Sequence, residues 1–203
     1  MVKVKICGIT NLEDALAGLF SGADAVGFVF YKKSPRFITP LKARNISRIL
    51  PKKILKVGVF VDENEARVKK IARLCKLDML QFHGDEPPAY CRRFEGYKVI
   101  KAFRVRGKID AVEISRYKVF GFLFDTFSGS KAGGTGRKFN WNLLPNIAKI
   151  SGRVFLSGGL TAANVRKAVS KAHPDWVDVS SSLESGPGRK DHQKMQKFIK
   201  AVK

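Results

Sequence analysis

AVGFVF, residues 25–30, carries no charged or hydrogen-bonding side chain at any position. A strand with one face in water alternates polar and apolar residues. A run that is apolar throughout is buried on both faces, as in a parallel sheet covered by helices. The same character returns in LKVGVFV (55–61), VFGFLFD (119–125) and RVFLSGG (153–159), and more weakly in LDMLQFHG (77–84), KVIKAFRV (98–105) and DWVDVSSS (175–182). Residues 2–7, where Lys3, Val4, Lys5 and Ile6 alternate like a short strand, make the eighth. VGFVF at 26–30 and VGVFV at 57–61 also resemble one another, a hint of repeated units.

The segments between these runs have helical spacing. Leu12, Leu16, Leu19 and Phe20 fall at i, i+4, i+7 and i+8, and Val68, Ile71, Ala72 and Cys75 at i, i+3, i+4 and i+7, which places Cys75 in the core. Thr10 with Glu13 reads as a capping box for the first helix. Thr161 reads as the cap of another, with Leu160 placed to staple onto Val165. Pro40, Pro87-Pro88 and Pro145 sit near helix starts or in turns, where a missing N–H is tolerated. Eight strand–helix alternations within 203 residues leave no room for a second domain. They predict an α/β fold, a single-domain (β/α)8 TIM barrel over residues 1–203. An open doubly wound sheet is the alternative, but no GxGxxG follows any of the strands. SGSKAGGTGRK, 128–138, between the sixth strand and its helix, reads as a mobile active-site loop.

Composition narrows the function class. Thirty-nine Lys and Arg against 17 Asp and Glu give a net charge of +22, a field that attracts anions. The basic residues are dispersed, as in Lys32-Lys33, Lys52-Lys53 and Arg92-Arg93, without interleaved aromatics. No nucleic-acid-binding motif is present, so solvated helix faces explain the charge better than a specific nucleic-acid partner does. Cysteines at 7, 75 and 91 are an odd, widely spaced set and read as reduced thiols. Three histidines, none in HExxH or zinc spacing, predict no metal. No apolar run is long enough to span a bilayer, and the chain enters a strand at once, so a cytoplasmic protein without membrane association is expected.

In a (β/α)8 barrel the chemistry lies where strands run out into the following loops. The polar residues collected there are Cys7, Gln81 and His83, Asp125, Ser157-Gly158-Gly159, and Asp178, Ser180 and Ser181, with Arg36 in YKKSPRFI after the second strand. SGGL, with Thr161 beyond it, and SSS after the eighth strand offer glycines of close approach and N–H and hydroxyl donors for a phosphate. Asp125 follows Phe122, Leu123 and Phe124, a setting that raises a carboxyl pKa and suits a general acid, although a loop or N-cap aspartate has the same spacing. Cys7 reads equally as a small buried hydrophobe.

KICGIT, ADAVGFVF, SPRFI, KVGVFV, QFHG, VIKAFRV, FDT, GGTGRKFNW, LSGGLTAANV and DVSSSLE, in that order between residues 3 and about 192, together resemble the phosphoribosylanthranilate isomerases, the barrel of the tryptophan pathway. The resemblance implies an Amadori rearrangement of N-(5-phosphoribosyl)anthranilate without a cofactor, on a small phosphorylated substrate, by a monomer or homodimer. It implies Cys7 as general base, Asp125 as general acid, Arg36 on the anthranilate carboxylate, and Gly158, Gly159, Ser180 and Ser181 as the phosphate grip. Gln81, His83 and Asp178 fall on substrate-lining positions. Asn140 departs from the family's aspartate, and Phe82 replaces its usual leucine. The histidine-pathway sugar isomerase runs the same rearrangement on a barrel. That family has an aspartate at the Cys7 position and a second phosphate grip, where this chain has Arg36.

Overall fold

The computed structural model describes residues 1–105, 111–125 and 150–203. Each of the eight runs forms a parallel strand: β1 (Lys3–Cys7), β2 (Ala25–Val29), β3 (Leu55–Phe60), β4 (Met79–Phe82), β5 (Lys98–Arg104), β6 (Gly121–Asp125), β7 (Arg153–Ser157) and β8 (Trp176–Val179). They pair in sequence order, and β8 closes on β1, with Lys5 opposite Asp178. The barrel is closed, and the open-sheet alternative falls. Around it lie α1 (Leu12–Ser21), α2 (Pro40–Ile49), α3 (Glu65–Leu74), α4 (Pro88–Cys91), α5 (Ala111–Ser115), α6 (Val165–Ala172) and α7 (His192–Val202). A hairpin of β9 (Glu184–Gly186) and β10 (Arg189–Lys190) follows β8 and was not foreseen from the sequence pattern. The loop at 128–138, Pro145 and Asn140 lie outside the described residues.

The strands are apolar on both faces because each face has its own core. Inward residues Ala25, Val57, Met79, Ile100, Leu123, Phe155 and Trp176 fill the barrel. Outward residues such as Ile6, Val26, Phe28, Leu80 and Phe82 pack beneath the helices. Phe82 sits among the rings of Phe60, Tyr90 and Phe94, so its departure from leucine is a matter of helix packing. Cys75 is buried as expected.

At the amino end of the barrel, Asp24, Asp78 and Asp175 accept hydrogen bonds from the first free N–H groups of neighbouring strands, at Val4, Lys56 and Val154. These carboxylates seal strand edges and leave the carboxyl end for chemistry.

Three local expectations need correction. The cap of α1 is Asn11, whose side chain accepts from the Asp14 N–H at 2.8 Å, while the Thr10 hydroxyl donates to the Gly188 carbonyl. Phe20 is 82% exposed, because α1 turns Asp14, Ala15 and Gly18 inward. Thr161 opens a turn rather than α6: its N–H donates to the Asn164 side chain, and the helix begins at Val165. At α1 the asparagine side chain reaches a free helix N–H, whereas Asn164 makes no such bond to α6 and closes the turn before it instead.

Candidate active site

A strand's side chains alternate in direction, so residues two apart on each strand line the barrel and its mouth together. Cys7, two residues beyond Lys5, ends β1 and packs with Val29, Val59 and Tyr31. Gln81 on β4, Asp125 at the end of β6, Ser157 on β7 and Asp178 on β8 belong to the same inward register. The closed topology therefore brings the residues collected from separate strand ends to one mouth.

On one side of that mouth a chain of polar contacts ends at Asp125. Gln81 Nε2 lies 3.0 Å from His83 Nδ1, and His83 Nε2 lies 3.3 Å from Asp125 Oδ2. With the Gln81 amide donating to Nδ1, the ring presents Nε2 to Asp125. Gln81 is 1% exposed, and its Oε1 has no hydrogen-bond partner among the described residues. A buried acceptor of that kind is costly unless a ligand satisfies it. The backbone beyond His83 is held by Glu86. Its carboxylate accepts from the Gly84 and Asp62 N–H groups and from the buried Lys101 ammonium at 2.7 Å.

Cys7 occupies the opposite setting, enclosed and surrounded by cations. Burial pushes its thiol above the ordinary value; Lys5 and Lys190 pull it down, and Asp178 adds to the rise. Burial and these close charges, rather than the dispersed surface charge, set the direction. Beneath the thiol, Lys5 Nζ donates to Asp178 Oδ1 at 2.7 Å, with side-chain exposures of 0% and 5%.

Arg36 lies across the next residue. Gly8 has φ +79°, and a Cβ there would stand 2.7 Å from Arg36 Cδ and 3.1 Å from Ser180 Oγ, so only glycine lets the arginine cross this close. Sequence reasoning missed what holds it. Arg36 Nε and Nη2 each donate to a Glu184 carboxylate oxygen at 2.7 Å, and buried Lys190 donates to the same carboxylate at 2.9 Å. Burial alone pushes the Glu184 carboxyl up, but Arg36 and Lys190 overcome it and hold it below the usual range. The Nη1 edge makes no hydrogen bond among the described residues.

The loops after β7 and β8 meet beside Cys7. Gly158 and Gly159 take φ +90° and +62° in succession. The Ser180 hydroxyl donates to the Cys7 carbonyl at 3.0 Å, and the Ser182 hydroxyl donates to the Leu160 carbonyl, tying one loop to the other. Ser181 is exposed at the start of a single 3-10 turn, Ser181–Leu183. The Ser180 hydroxyl is already engaged, by the Cys7 carbonyl and the Lys190 ammonium.

A family model described as N-(5′-phosphoribosyl)anthranilate (PRA) isomerase matches residues 4–201. Over its whole length the chain is 48% identical to the N-(5′-phosphoribosyl)anthranilate isomerase of Trichlorobacter lovleyi, covering 98% of that protein. It is 49% identical to the enzyme of the same name from Geobacter sulfurreducens, covering 99%. Among solved structures, it superimposes on phosphoribosyl anthranilate isomerase from Thermotoga maritima with a TM-score of 0.90 and 46% identity, over 100% of this chain and 98% of that one. A phosphoribosyl anthranilate isomerase in complex with reduced 1-(o-carboxyphenylamino)-1-deoxyribulose 5-phosphate gives a TM-score of 0.87 at 44% identity, with the same coverage.

Proposed function

This chain belongs to the N-(5′-phosphoribosyl)anthranilate isomerase family, and from that premise we propose that Cys7 and Asp125 divide the acid–base chemistry of its barrel mouth. The reaction is the Amadori rearrangement of N-(5′-phosphoribosyl)anthranilate to 1-(2-carboxyphenylamino)-1-deoxyribulose 5-phosphate, in tryptophan biosynthesis.

Asp125, protonated, gives its proton to the furanose ring oxygen as the C1′–O bond breaks and the amine lone pair forms C=N. Cys7, as thiolate, then removes the C2′ proton. The C–H electron pair becomes a C=C bond, the C=N pair returns to nitrogen, and the enolamine tautomerises to the ketone. The iminium is its own electron sink, so the step as written calls for no redox cofactor. Gln81 Oε1 is an acceptor for a substrate hydroxyl or amine proton. Arg36 offers its Nη1 edge to the anthranilate carboxylate. The turns at Gly158-Gly159 and Ser180-Ser181 take the phosphate, which suits a pair of donor-rich loops at this end of a barrel.

The observation that carries this reading is the Gln81–His83–Asp125 chain, which sets the Asp125 carboxyl 3.3 Å from His83 Nε2 at the mouth that Cys7 also lines. Asp125→Ala tests it. A positioned acid contributes about 10²- to 10⁴-fold, so kcat should fall by at least the lower figure. The reduced product analogue should still bind. Turnover near the wild-type rate would remove Asp125 from the mechanism.

A further inference from the structure

We propose that the buried Lys5–Asp178 pair is the positioning device for the Cys7 thiol, with Lys5 as the cation against which the thiolate forms. This rests on Cys7 being the base. The pair is anomalous in its surroundings, because the barrel interior beside it is filled by Val57, Met79, Ile100, Leu123 and Phe155. A buried ion pair is often no more stabilising than well-packed apolar residues of the same volume. A buried ion pair beside this apolar filling therefore points to a role besides stability.

Geometry supplies that role. Lys5 and Cys7 are two apart on β1 and share its inward face. Two strand residues span about 6.6 Å, close to the reach of an extended lysine side chain. Cys7 is paired in register with Gly27 on β2. A Cβ on Gly27 would stand 2.9 Å from Cys7 Sγ and 3.3 Å from Lys5 Cε, so the sulfur and the carbon bearing the ammonium lie over the same point of β2. A side chain there would occupy the space in which the two meet. Asp178, opposite Lys5 in the β1–β8 register, holds the ammonium at 2.7 Å and keeps it charged inside the barrel.

The charges facing the thiol are Lys5 from β1, Asp178 from β8, Lys190 from β10 and Arg36 from the loop after β2. Burial drives the thiol upward, and Lys5 is the largest influence in the other direction. In return, Asp178 and Cys7 together overcome the burial that would otherwise lower the Lys5 ammonium. Lys5 and Asp178 therefore act on the thiol with opposite signs.

The test is the midpoint, in pH, of iodoacetamide alkylation at Cys7, followed by mass spectrometry of the Cys7 peptide so that Cys75 and Cys91 do not contribute. Lys5→Met should move the midpoint upward, leaving about tenfold less thiolate at a given pH below it, equivalent to about 1.4 kcal/mol. Asp178→Asn should move it downward. Should Lys5→Met fail to fold because Asp178 is left uncompensated, the Lys5→Met/Asp178→Asn double variant, which buries no charge, should still show an upward midpoint. The acid limb of the kcat profile should follow the alkylation midpoint in each folded variant. Midpoints that stay at the wild-type value, or move in the same direction for Lys5→Met and Asp178→Asn, overturn the proposal. The separate reading of Cys7 as base is decided by turnover of Cys7→Ala, whatever the midpoints do.

Discussion

Glu184→Gln separates orientation of Arg36 from its charge. In the wild type the guanidinium makes two bonds of 2.7 Å to the Glu184 carboxylate, and the fully buried Lys190 ammonium makes a third at 2.9 Å. Glutamine keeps the shape but offers one acceptor oxygen and turns an N–H donor toward cations. At least one charge-assisted bond is lost, about 1.5–3 kcal/mol. Lys190 also loses its counter-ion, and removing one partner of a buried pair costs about 3–5 kcal/mol. Arg36 is 24% exposed on its side chain, which discounts its share. A destabilisation of about 3–5 kcal/mol, most of it from Lys190, is therefore expected, or roughly 6–20 °C in Tm for a domain of this size. Freed from its fork, Arg36 should hold the substrate carboxylate less well, raising KM about tenfold, while kcat changes less because Cys7 and Asp125 are untouched.

The pH dependence gives an independent sign. The folded-state pKa of Glu184 is depressed, so its contribution is present above the unfolded value of about 4.3 and is lost as pH falls through the folded value. The stability gap between wild type and variant should be constant near neutrality and close below about pH 4. Denaturant unfolding across pH and the loss of substrate fluorescence supply both measurements. A wild-type KM in the folded variant would refute the orientation argument, and a gap that widens in acid would refute the electrostatic one.

Gly8→Ala should raise KM, because the new Cβ meets Arg36 Cδ at 2.7 Å and the left-handed backbone adds about 1–2 kcal/mol of strain; a titration calorimetry series with the product analogue reads the loss. Inorganic phosphate should inhibit competitively. Ser182→Ala, which unties the loops after β7 and β8, should weaken that inhibition several-fold with kcat retained.

The strands were legible because a barrel buries both faces of each one, leaving runs such as AVGFVF without polar interruption. The strand-end polar residues were legible for the same reason: they break those runs at one end. What escaped was long-range pairing. Lys5 reads as an ordinary polar residue in an alternating strand, yet its partner Asp178 lies 173 positions away, and Glu184 meets Arg36 across 148. Nothing local distinguishes a carboxylate that will be buried against a distant cation from one that stays in water. Helix caps escaped on a finer scale, since Thr10 and Asn11 are both good caps and tertiary contact with Gly188 takes the threonine.

Turnover of purified Cys7→Ala bears most directly on the central assignment. The side chain is 8% exposed, so some loss of stability will accompany the change and kcat must be read on protein shown to be folded. With the base removed, kcat should fall by at least about 10²-fold while the reduced product analogue still binds. Turnover near the wild-type rate would mean that Cys7 only packs the barrel mouth.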